Sequence, residues 1–201
     1  MRIILFIFLF VLLNANAVYA INFDTYDLNN INSVHEATKQ FKKEFKNVRS
    51  TDIVEEKFIE FVDYYYKFAE TQNKKIYLAH INSNLTIKEQ QKIYSKMYYK
   101  YGLIVQMDEG EYMLVPSNKY LYKNFSKYLS KPSSELLKFK SSDKRIISDG
   151  RYIISKLELQ KYIDFYEKFE NKYPEYSQKH NIKQIKNKYK KDLNHYPYII
   201  Y

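Results

Sequence analysis

The chain has 201 residues, 33 of them Lys or Arg and 23 Asp or Glu, for a formal net charge of +10. It holds no Cys or Trp and only 3 Gly and 4 Pro, beside 23 Tyr and 13 Phe. That length, with 45% hydrophobic residues, suits one domain with a real core. The missing Cys excludes disulfides, thiolate metal sites and Cys nucleophiles. The scarce Gly argues against P-loops, dinucleotide fingerprints and a serine elbow, which need close backbone approach at fixed positions.

The first twenty residues read as a secretory signal rather than as structure. Arg2 supplies the positive start, and Ile3 to Leu13 is an unbroken apolar run. As a helix that run spans about 16 Å, short of the roughly 30 Å hydrocarbon core. Val18-Tyr19-Ala20 is an A-x-A-like cleavage sequence, with Ala15-Asn16-Ala17 as the alternative. Export without Cys fits a bacterial periplasmic or secreted protein. Residues 21–201 are then expected to form a single mainly helical domain of about six to seven helices, with a small β-hairpin near 103–115.

Taken along the chain, residues 21–32 form an Asn- and Asp-rich lead-in. Ser33 with Glu36 has capping-box spacing, and Val34, Ala37, Phe41, Phe45 and Val48 recur at helical intervals. Asp52 with Glu55 opens a second helix striped by Val54, Phe58, Phe61, Val62, Tyr65 and Phe68; residues 76–81 are ambiguous. Thr86 with Glu89 starts a third, which Gly102 ends. Two β-favouring runs, 103–107 and 112–115, then flank Asp108-Glu109-Gly110-Glu111 as a hairpin. Ser117 caps a helix reaching Leu129, and a short helix follows Pro132 from Ser133 or Ser134. Asp149-Gly150 marks a second small hairpin, and Ser155 with Glu158 starts a helix that stops before Pro174. Ile182, Ile185, Tyr189, Leu193 and Tyr196 stripe the last one.

Two surface features carry the candidate sites. The acidic hairpin tip, Asp108, Glu109 and Glu111 with Tyr112, suits a basic groove on a protein partner. Its carboxylates could also serve glycan hydrolysis, but a solvated turn does not raise a carboxyl pKa as that chemistry requires. Lys179, Lys183, Lys186 and Lys190 form one line at spacings of 4, 3 and 4. That line could meet anionic lipid or wall polymer, or could be a solvated helix face. No two of His35, His80, His180 and His195 have i, i+4 metal-site spacing, so no metal or other cofactor is expected. With 29 Lys against 4 Arg, nucleic acid is not an expected partner either.

The layout is similar to that of small exported bacterial helical proteins, some of which act as immunity proteins or inhibitors. The leading expectation is an exported, non-enzymatic protein that binds another protein, such as a toxin or lytic enzyme. The alternative is an envelope protein that binds anionic lipid or wall polymer through the Lys-rich terminal helix. A carboxylate-dependent glycan hydrolase is the third.

Overall fold

The computed structural model describes residues 21–48, 52–108, 111–142, 144–148 and 151–194; the expected leader, 1–20, lies outside the described residues. Within them the protein is mainly helical, with seven α-helices and two short antiparallel hairpins. The helices are α1 (Ser33–Glu44), α2 (Asp52–Ile81), α3 (Ile87–Tyr98), α4 (Asn118–Phe125), α5 (Lys131–Lys140), α6 (Lys156–Lys172) and α7 (Lys179–Asn194). Strands β1 (Leu103–Asp108) and β2 (Glu111–Pro116) make the central hairpin, and β3 (Ile147–Ser148) and β4 (Arg151–Tyr152) the small one.

Helix α2 is the axis of the molecule. Its 30 residues span about 45 Å, and Val54, Phe58, Phe61, Tyr65, Phe68, Gln72 and Ile76 are buried at helical spacing along it. It continues through the stretch that was ambiguous in sequence. No Gly or Pro interrupts it, and Gln72 and Ile76 extend the buried stripe by two turns. Against this stripe pack α1, α4 and the lead-in. Phe125 of α4 is the hub, with ring centroids 4.5 Å from Phe61 and 4.9 Å from Phe41. Smaller clusters gather around Phe169 and Tyr166 of α6 and around Leu159 beside the β3–β4 hairpin.

Caps follow local chemistry only where the side chain is not claimed elsewhere. Thr86 with Glu89 and Ser155 with Glu158 form both bonds of a capping box, and Ser117 accepts the Tyr120 N–H. Ser33 forms no such box: its hydroxyl donates to the Asp27 carbonyl at 2.7 Å, and α1 begins without a side-chain cap. Helix α4 ends at Phe125, short of the expected Leu129. Helix α5 starts ahead of Pro132 rather than after it, with Ser130 as N-cap. Proline is tolerated in a first turn because the N–H it lacks has no acceptor there.

The central hairpin turns Tyr112 and Leu114 inward and Met113 outward. Its outer edge at β2 is closed by a side chain. Asn73 of α2 donates from Nδ2 to the Leu114 carbonyl at 3.0 Å and accepts the Leu114 N–H at 2.5 Å, as a neighbouring strand would. At the other end Gly102 has φ 75°. A Cβ there would lie 2.2 Å from the Tyr120 ring and 2.5 Å from the Tyr65 hydroxyl.

Asn73→Ala leaves a buried N–H and C=O unpaired and is expected to cost about 2–4 kcal/mol in urea unfolding. Gly102→Ala adds left-handed strain to a steric clash and should cost more than about 2 kcal/mol. Wild-type stability in either variant would refute the account of that position.

Candidate functional site: a tyrosine-lined groove at Lys140

Helix α5 is fastened at both ends, and the groove lies beside it. At its N-terminus the Glu55 carboxylate accepts the Ser130 N–H and the Ser133 hydroxyl, both at 2.6 Å. A carboxylate fits there because the first helical N–H groups lack intrahelical acceptors and carry partial positive charge. Ser133 also lies 3.2 Å from the Tyr176 hydroxyl, which ties in the α6–α7 turn. At the C-terminal end Phe139 stacks flat on Phe165 of α6, centroids 3.6 Å apart and planes 4° apart. Lys140, the next residue, is thereby aimed between α2 and α6.

Two cavities meet at this lysine. One, about 390 Å³, runs along the α2 line Glu55, Ile59, Val62 and Tyr66, spaced 4, 3 and 4, and faces Leu136 and Tyr176. The other, about 290 Å³, lies over the hairpin's outer face at Ile104, Gln106 and Val115, and faces Tyr162, Tyr166 and Tyr189. Tyr66, Asn118 and Lys140 belong to both walls, so the two form one groove. Lys140 is half-buried, and its ammonium has no hydrogen-bond or ion-pair partner among the described residues. Burial holds it below the usual lysine range. Burial likewise raises the Tyr166 phenol, and it raises that of Tyr189 to about 12, with Tyr162 and Asp192 adding to the effect. The groove thus offers the Lys140 ammonium and several neutral hydroxyls on largely apolar walls, lined also by Lys144, which is paired with Glu158, and by the Glu55 carboxylate.

A larger cavity, about 610 Å³, lies beside Gly102 and Tyr120. Its lysines are not comparably enclosed: Lys100 is exposed and lies over the Tyr101 ring at 4.7 Å.

The residues singled out in sequence fall elsewhere. The side chains of Asp108, Glu109 and Glu111 lie outside the described residues. Tyr112 is a packing residue: its ring meets Tyr94 edge-on at 5.7 Å and its hydroxyl donates to the Ile87 carbonyl. Along the lysine line, Lys179 donates to the Pro174 carbonyl at 3.2 Å and Lys183 is exposed. Lys186 pairs with Glu170, and Lys190 with Glu167 at 2.5 Å. Half of that line therefore fastens α7 to α6. The groove residues were not singled out, although the second apolar line on α2 was visible in the spacing of Ile59, Val62 and Tyr66.

Comparison with family models, with curated proteins and with solved structures finds no match for this chain. Among the described residues no group of three or more His, Asp or Glu could hold a metal ion, and no helix is long and apolar enough to cross a membrane.

Lys186→Met should lower the melting temperature by about 2–4 °C, because it strands a partly buried carboxylate, while exposed Lys183→Met leaves it unchanged. Equal effects would refute the tether. Acid should loosen the same region. Hydrogen bonds from Lys172 and Tyr173 hold Glu135 low, and those from Lys188 and Tyr152 hold Asp192 low. A depressed carboxylate stabilises above its unfolded pKa and loses that contribution as pH falls through the folded one. Hydrogen-exchange protection, taken relative to the intrinsic rate at each pH, is therefore expected to fall in α6 and α7 below about pH 4, ahead of that in α2.

Proposed function

We propose that the chain is exported, is not an enzyme, and works by binding another protein whose acidic side chain or terminus enters the groove at Lys140. The observation that carries this reading is the half-buried ammonium with no acceptor among the described residues, set in an open groove. An enclosed charge without a partner is costly, and an incoming carboxylate would supply the missing charge-assisted bond. The surrounding tyrosines support a protein ligand, since Tyr gives large contact area and a polar tip at little entropic cost. The signal-like leader supports export, and an exported toxin or lytic enzyme is the class of partner this reading favours. The Lys-rich terminal helix is less suited to a polyanion, because Lys186 and Lys190 are already paired with α6.

The test is affinity capture from the envelope fraction of its own cells and of neighbouring ones. Full-length wild-type protein is compared with Lys140→Gln, at low and at moderate salt. One protein retained by the wild type in saturable, stoichiometric amounts at both salts is expected, with at least about tenfold weaker retention by the variant. Equal retention by both proteins, or capture of only lipid or wall polymer at low salt, would overturn the proposal.

A further inference from the structure

The first residues after the expected leader belong to the core. Ile21 is only 4% exposed and belongs to the main core. Phe23 follows at 3%, its ring 5.4 Å from Phe61 in an edge-to-face contact. The Ile21 nitrogen lies 3.4 Å from Oε1 of Glu44, at the C-terminal end of α1. Among the described residues it is the one hydrogen-bond partner of that half-buried carboxylate. As an amide, this nitrogen gives Glu44 a single neutral donor.

We infer that the chain is cut between Ala20 and Ile21, and that the α-ammonium so created pairs with Glu44. The inference rests on the export part of the proposed function and not on the groove. Hydrolysis adds one water across the peptide bond: Ala20 keeps the new carboxylate and leaves with the leader, and Ile21 keeps the amine. At neutral pH the amine is largely protonated, so a charged donor replaces a neutral one beside a half-buried carboxylate. A cut after Ala17 would instead leave Val18, Tyr19 and Ala20 attached ahead of the buried Ile21, and Glu44 would have no cation there.

The experiment expresses the full 201-residue chain in an exporting bacterial host. Intact mass and N-terminal sequencing are then read on the exported protein. Ile21-Asn22-Phe23 is the expected start. A start at Val18 overturns the inference while leaving export standing, and retention of the leader removes both. The ion pair is read separately, by the rate at which cyanate carbamylates the α-amine near neutral pH. Pairing with Glu44 keeps the amine protonated and unreactive, so native wild type should react at least about fivefold more slowly than Glu44→Gln. It should also react more slowly than wild type in denaturant, a comparison that holds if the variant does not fold. Equal rates for native and denatured wild type overturn the ion pair.

Discussion

Everything in this fold is organised by one helix that is required on more than one face. The buried side of α2 carries the aromatic core, and its Asn73 closes the edge of the hairpin. Its first turn supplies the carboxylate that fastens α5. An ordinary amphipathic helix buries one stripe and solvates the rest. Here the second apolar line, Ile59, Val62 and Tyr66, is only partly covered by the core, and it becomes the wall of the groove. Ile59 and Tyr66 are 41% and 57% exposed, which marks the wall as open surface rather than core.

The use of Tyr where other cores use Leu has a structural cost that the fold meets at several positions with backbone and side-chain partners. Tyr65 donates to the Tyr101 carbonyl at 2.8 Å, and Tyr101 to Asn32 at 2.9 Å. Tyr120 shares a hydrogen bond of 3.0 Å with Thr38. These bonds join elements far apart in sequence, and they orient rings that dispersion alone would leave freer to slide. Around the groove Tyr66, Tyr166 and Tyr189 line the wall beside Lys140.

Local signals were legible wherever a side chain serves its own neighbourhood. Thr86, Ser155 and Ser117 cap the helices they precede, and Gly102 stops one at positive φ. The reading departed from the structure where a distant partner outbids the local one. Ser33 gives its hydroxyl to Asp27, and Glu55 reaches past its own helix to α5. The lysine line on α7 was legible as a line, but not as a set of bonds, because Glu167 and Glu170 become its partners only once α6 and α7 lie side by side. The groove was not legible for the same reason. Its walls come from α2, the hairpin, α5, α6 and α7, and Lys140 is singular only for its surroundings.

The Asn73 clasp bears on how this protein behaves in a crowded solution. A two-stranded sheet has two edges, each a row of backbone donors and acceptors on which a foreign strand can grow. Here α2 lies along β2, where one amide side chain occupies both groups of Leu114, and α3 packs beside β1. A strand from another chain would have to displace a helix-borne side chain already making both bonds. The hairpin can thus carry the apolar residues its core face needs without becoming a seed for self-association.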